Sequence, residues 1–178
     1  ADGQRVRKIY ERLVSGQIEI DETFYFGEYE IKRTRRGNRV TQERTTVTVS
    51  DGQERVAIAH RWTVLPFGQN RNPQLRFQLG NHQGSVSLEL DDNSNVITYE
   101  EYYPFGGTAL IAGQNQQEVE RKRYRYGGRE RDSVTQFYSY GTRYYVPWLG
   151  RWLSPDLAGP VDGLNLYQFV RNNPVRYT

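Results

Sequence analysis

One stretch, YGGRERDSVTQFYSYGTRYYVPWLGRWLSPD from Tyr126 to Asp156, restricts the possible folds more than any other part of the chain. Tyr, Phe and Trp alternate here with Arg and Gly. Aromatic rings bring large apolar area, and buried Tyr and Trp also need a polar partner. Arginine can lie flat on such rings and still reach a carboxylate. The segment is expected to form short strands that bury themselves against their neighbours, not a solvated loop. Only 36% of the 178 residues are hydrophobic, while 13% are aromatic and 14 are Tyr. With a mean hydropathy of −0.84, the chain must draw much of its core from rings. Disordered chains are poor in such residues.

Strand signals dominate the rest. Arg5–Val14 alternates and closes on Ser15-Gly16. Gln17–Ile31 follows as an expected strand, then Arg39–Ser50 with the β-branched run Thr45-Thr46-Val47-Thr48-Val49. Asp51-Gly52 has the residue types of a two-residue hairpin turn, and Gln53–Val64 returns from it. Pro66–Pro73, rich in Gly, Asn and Pro, is expected as a loop. Further strands are expected over Gln74–Leu79, Ser85–Leu90, Val96–Tyr103, Lys122–Tyr126, Gln136–Tyr140 and Thr142–Val146, with Thr108–Gln117 as a long loop. One short helix is expected near the C-terminus. Asp162 would cap it, Leu164, Leu166, Tyr167 and Val170 would give its apolar contacts, and Asn172-Asn173-Pro174 would stop it. The fold class is therefore all-β: an antiparallel sheet of hairpins, degenerate in repeat, with that short helix.

Composition also limits function. Cysteine is absent, which excludes disulfides and thiolate metal sites. His60 and His82 have no third ligand pattern and are expected to be structural. No metal or cofactor is expected. The net charge of +3 is too small to require a nucleic-acid partner. The run Arg121-Lys122-Arg123-Tyr124-Arg125-Tyr126 could grip single strands. On a strand, however, its rings would face one way and its charges would face solvent. No apolar run is long enough to span a membrane. The N-terminus carries no apolar leader, and the chain is expected to be a segment of a longer polypeptide.

Four blocks carry a family resemblance: LGNHQGSVSLELDDNSNVITYEEYYPFGGTAL (Leu79–Leu110), YRYGGRERD (Tyr124–Asp132), FYSYGTRYYVPWLGRWLSPD (Phe137–Asp156) and DGLNLYQFVRNNPV (Asp162–Val175). In order and spacing the chain resembles RHS/YD-repeat proteins and their repeat-associated core, and is most similar to the C component of toxin complexes. The resemblance implies degenerate β repeats over residues 1–78 and the shell-closing core over residues 79–178. It implies a secreted bacterial packaging protein, whose curling β-sheet shell encloses a C-terminal toxin. Expected partners are the remainder of the shell, that toxin, and a toxin-complex B-type component or a secretion-system spike. The family's core is also an intramolecular aspartyl protease. Its Arg in the G-x-R-Y-Y block corresponds to Arg143, and its Asp in the S-x-D block to Asp156. Leu157 stands where the family commonly has Pro. The family's second Asp lies in a D-P-x-G motif following the N-N-P segment, where this sequence ends. No stand-alone catalysis is therefore expected of these residues, although the longer parent would be an autoprotease. A nucleic-acid-binding β module is a further alternative.

Overall fold

The computed structural model describes residues 5–52, 54–65 and 73–177, except for the side chain of Asp162. Nine consecutive strands form an antiparallel sheet in chain order: β1 Arg7–Val14, β2 Gln17–Phe26, β3 Tyr29–Arg36, β4 Arg39–Asp51, β5 Glu54–Val64, β6 Gln74–Gly80, β7 Val86–Leu90, β8 Val96–Tyr102 and β9 Thr108–Gly113. One α-helix, α1 (Gln116–Arg121), follows. A smaller sheet then orders β10 Glu130–Arg131, β11 Tyr138–Ser139, β12 Tyr144–Val146 and β13 Arg151–Trp152. The chain divides into two compact units within β6, after Phe77.

The first unit is a meander of two-residue hairpins. Val14 pairs with Gln17, Phe26 with Tyr29, Arg36 with Arg39 and Asp51 with Glu54. Loops this short need positive φ to match the twist of the strands, and Ser15 (50°), Gly16 (77°), Gly27 (67°) and Gly37 (54°) supply it. The strand expected over Gln17–Ile31 is thus broken by Gly27-Glu28, and its second part belongs to β3. The Asp51-Gly52 turn is shifted by one residue, because Asp51 is itself paired. Gln53 lies outside the described residues, as does most of the expected Pro66–Pro73 loop.

Both faces of this meander mix polar and apolar residues, and the buried one sets Trp62 and Ile58 beside polar side chains. One face buries Thr23, Glu30, Arg44, Thr46 and His60, whose Nδ1 lies 3.1 Å from Thr46 Oγ1. The opposite face presents Ile9, Leu13, Ile18, Phe26, Tyr29 and Val47 to solvent. On the same face, Glu22 with its partners Arg7 and Arg35 separates Leu13 and Ile18 from Phe26, Tyr29 and Val47.

The second unit has an aromatic core. Tyr126, Tyr138, Tyr145 and Phe169 are each at most 1% exposed, and Tyr102, Phe105, Tyr140, Trp152 and Val170 pack around them. Burial raises the phenol pKa values of Tyr126, Tyr138 and Tyr145. The hydroxyls therefore stay protonated and act as donors. Tyr126 donates to Pro104 O (3.0 Å), Tyr138 to Gly106 O (3.0 Å) and Tyr145 to Phe105 O (2.8 Å). Three rings thus clamp three successive carbonyls of the turn between β8 and β9. Gly106 has φ +81°, and a Cβ there would lie 2.6 Å from the Tyr126 ring. Gly106→Ala is expected to cost about 1–3 kcal/mol in urea unfolding, through overpacking added to left-handed strain. Gly16→Ala, with φ +77° but open space around it, should show only the backbone part, about 1 kcal/mol.

Three further expectations change in this unit. Thr108–Gln117 is not a loop but β9 followed by the start of α1. The helix begins there because the Asn115 side chain accepts from the Glu118 N–H at 3.1 Å. The helix expected near the C-terminus is reduced to single 3₁₀ turns at Pro160–Asp162 and Val170–Asn172. Leu164 is 94% exposed while Val170 packs on the aromatic core, so the anticipated apolar residues do not share one packed face, and Val170, Arg171 and Asn172 adopt left-handed φ. The cap expected from Asp162 concerns a side chain outside the described residues. Finally, Lys122–Tyr126 contributes only an isolated bridge at Tyr124 and a 3₁₀ turn starting at Tyr126.

The basic residues of that run do not face solvent. Glu100, fully buried, accepts from Thr108 Oγ1 (2.7 Å), Arg125 Nη1 (3.0 Å) and Tyr102 OH (3.0 Å), and Lys122 Nζ lies 3.2 Å away. Lys122 is itself fully buried. Burial lowers its pKa against the opposing pull of Glu100 and Glu89. A carboxylate at this depth is tolerated only with charge and hydrogen-bond partners, and that requirement turns the cations inward.

Candidate functional site

Arg143 and Asp156 are brought together at a cavity in the second unit. Arg143 immediately precedes β12, where its carbonyl accepts from the Tyr140 N–H (3.0 Å) and closes the turn through Gly141. Asp156 lies four residues after Trp152 of β13. The segment holding both is fastened to the following chain: Trp152 N–H donates to Tyr167 O and Asp156 N–H to Leu166 O, each at 2.9 Å. Leu157, standing where the resemblance leads one to expect Pro, is 83% exposed, and the turn forms without it. Asp156 Oδ1 accepts from the Ala158 N–H (2.9 Å), and its carbonyl accepts from the Gly159 N–H (3.2 Å).

The other carboxylate oxygen, Oδ2, accepts from Arg143 Nη1 at 2.9 Å. The Arg143 guanidinium lies over the Trp152 ring, 4.1 Å from its centroid. The cavity measures about 400 Å³, and Arg143, Trp152, Asp156, Asn165, Gln168 and Arg171 are among its lining residues. Of the described lining residues, Asp156 alone carries a carboxylate. The Ala158 N–H first, and then Arg143, hold its pKa below the usual aspartate value. Asp156 is therefore ionised at neutral pH. An ionised carboxylate aimed into a cavity can accept a proton or stabilise developing positive charge. A proton-sharing pair needs a second carboxylate.

Because the folded pKa is depressed, the stabilisation from this ion pair is present above the unfolded aspartate value. It is lost as pH falls through the folded one. A ¹³C titration of the Asp156 carboxyl is expected to give a midpoint below 3.8. Arg143→Gln should raise that midpoint without fully restoring it, since the Ala158 N–H remains. A midpoint unmoved by Arg143→Gln would mean that the ion pair does not form in solution.

The sequence marks Arg143 and Asp156 but not Trp152, Asn165, Gln168 or Arg171 as companions. The last three lie in or next to a segment whose apolar spacing suggested a helix. Of the rings near the site, Tyr145 is buried and Trp152 half-buried, whereas Tyr144 and Trp148 are 38% and 59% exposed. Arg121, Arg123 and Arg125 are paired with Glu118, Glu130 and Glu100, so the basic run is engaged internally. Among the described residues no three His, Cys, Asp or Glu side chains group as a metal site, and no helix is long and apolar enough to cross a membrane.

No protein-family model matches the chain. It is 38% identical over 175 residues to toxin subunit YenC1 and 40% identical over 176 residues to toxin subunit YenC2, both of Yersinia entomophaga. Each match covers 98% of this chain but only 18% of the relative. The fold is similar to part of the crystal structure of TcdB2-TccC3, with a TM-score of 0.90 and 44% identity over 98% of this chain and 8% of that one. The chain is thus homologous to a segment of these toxin subunits and spans less than a fifth of their length.

Proposed function

We propose that this chain is a structural segment of a toxin-complex C component, part of an RHS/YD-repeat shell that encloses a C-terminal toxin. The observation that carries this reading is the fold similarity over 98% of the chain to TcdB2-TccC3 at 44% identity. Two features support it. The short-hairpin meander repeats one strand-turn-strand unit, as repeat arrays do, and one of its faces leaves Ile9, Leu13, Ile18, Phe26, Tyr29 and Val47 exposed. On this reading, neighbouring shell or cargo covers those side chains. On this reading residues 1–78 supply repeats and residues 79–178 close the shell. The protein is secreted, and its partners are the remainder of the shell, a B-type component and the enclosed polypeptide. The test is proteinase K protection of a tagged C-terminal polypeptide, in a longer chain co-expressed with a B-type component. Protection until the shell is denatured is expected, and digestion as fast as that of the free polypeptide would refute enclosure.

A second reading concerns the Arg143–Asp156 pair. Its position at a cavity, with Asp156 held ionised, favours a role in aspartyl self-cleavage once a further carboxylate is supplied from beyond Thr178. A longer chain should then cut itself, and Asp156→Asn should abolish the new band on a gel. Cleavage that persists in Asp156→Asn would remove this reading.

A further inference from the structure

We propose that Trp152 is a positioning residue of this site: its indole face carries the Arg143 guanidinium and aims it at Asp156. The inference rests on the reading of Arg143 and Asp156 as a catalytic pair. An arginine side chain has many rotamers, and holding one of them costs entropy. A single bond to a carboxylate that is itself 38% exposed is weak restraint for so flexible a group. The Arg143 Cζ lies 4.1 Å from the Trp152 ring centroid, well inside the range of a cation–π contact.

Trp152 is itself packed and hydrogen-bonded in place. Its ring meets Tyr140 edge-on at 5.1 Å, Phe169 at 5.2 Å and Tyr145 at 5.9 Å. Its backbone is held by the register with Tyr145 and by the bond to Tyr167 O. One ring thus belongs to the aromatic core on one side and lines the cavity on the other, passing the rigidity of the core to the guanidinium. Sites held by such supporting residues keep their geometry better than sites on free side chains.

The test separates positioning from packing. In this chain, Trp152→Leu is expected to move the Asp156 ¹³C titration midpoint upward, in the direction of Arg143→Gln. Trp152→Phe, which retains a ring face, is expected to stay near the parent. A folded Trp152→Leu with an unmoved midpoint overturns the proposal. In the unsubstituted chain the Arg143 Hε resonance should be shifted upfield by the indole and its side chain should be ordered. An unshifted, freely rotating Arg143 overturns the proposal even where Trp152→Leu does not fold. In a longer self-cleaving chain, Trp152→Leu should slow cleavage roughly tenfold to a hundredfold, and Trp152→Phe should recover most of the rate. If Asp156→Asn leaves that cleavage intact, the catalytic reading falls, and the titration and the Hε resonance still decide the positioning.

Discussion

Glu100→Ala is expected to cost about 3–5 kcal/mol in urea unfolding, the loss typical of breaking a buried ion pair by removing one partner. Glu100 is fully buried and has four partners from different parts of the second unit: Tyr102, Thr108, Lys122 and Arg125. Without the carboxylate, Lys122 keeps its burial but loses the nearest counter-charge. Burial already lowers the pKa of Lys122, so removing Glu100 should lower it further, favouring the neutral amine or water entry. Glu100→Gln should cost less, because the amide oxygen still accepts at one of the two carboxylate positions, that of Thr108 or that of Tyr102. Replacing Glu100 and Lys122 together by apolar residues, Glu100→Leu with Lys122→Met, should recover only part of the loss: the desolvation penalty of that pair goes with its charges, but Arg125 keeps its charge without Glu100. Glu101→Ala, one residue away with an exposed bond to Tyr99, should stay within about 0.5 kcal/mol. Equal effects at Glu100 and Glu101 would show that the buried network contributes nothing of its own.

Phe169→Ala is the second large effect, expected at about 3–5 kcal/mol. Phe169 is 1% exposed and stacks on Tyr145 with ring centroids 3.9 Å apart. It also meets Tyr126, Tyr140 and Trp152. Removing the ring opens a cavity bounded by four rings whose positions are set by other contacts, so collapse around it is limited. Near-UV circular dichroism should weaken along with the fall in unfolding midpoint. Tyr145→Phe makes a useful contrast. It keeps the ring and removes only the bond to Phe105 O, so about 0.5–1.5 kcal/mol is expected. A Phe169→Ala loss no larger than that of Tyr145→Phe would mean that the core is not close-packed around this ring.

The parts of the fold legible from sequence are those governed by local chemistry. Ser15-Gly16 announces a tight turn because few residue pairs accept positive φ. The Thr45–Val49 run announces a strand because β-branched side chains suit the pleated backbone. The Gly27-Glu28 turn is not legible because Ile18, Ile20, Phe24 and Phe26 run on toward Ile31 with little change in composition. Helix α1 is hard to read although Asn115 and Glu118 stand at capping spacing, since the preceding Thr108–Gly113 offers only a weak strand signal. The C-terminal segment shows the converse: Leu164, Leu166, Tyr167 and Val170 have helical spacing, but spacing does not show that the core receives Val170 and leaves Leu164 in solvent.

For the candidate site, Arg143 and Asp156 were marked by family resemblance. What acts on them was not legible, because Trp152 reaches Arg143 only once β12 and β13 pair and Asp156 folds back along the chain near Leu166. By itself the sequence determined an all-β chain of hairpins with a ring-built core, since turn chemistry, strand propensity and aromatic content are properties of short stretches. Only the tertiary structure decided which charges are buried, which tryptophan carries the arginine and where the helix lies. These depend on groups far apart in the chain becoming neighbours, and on burial giving an ion pair or a stacked ring a weight it lacks in water.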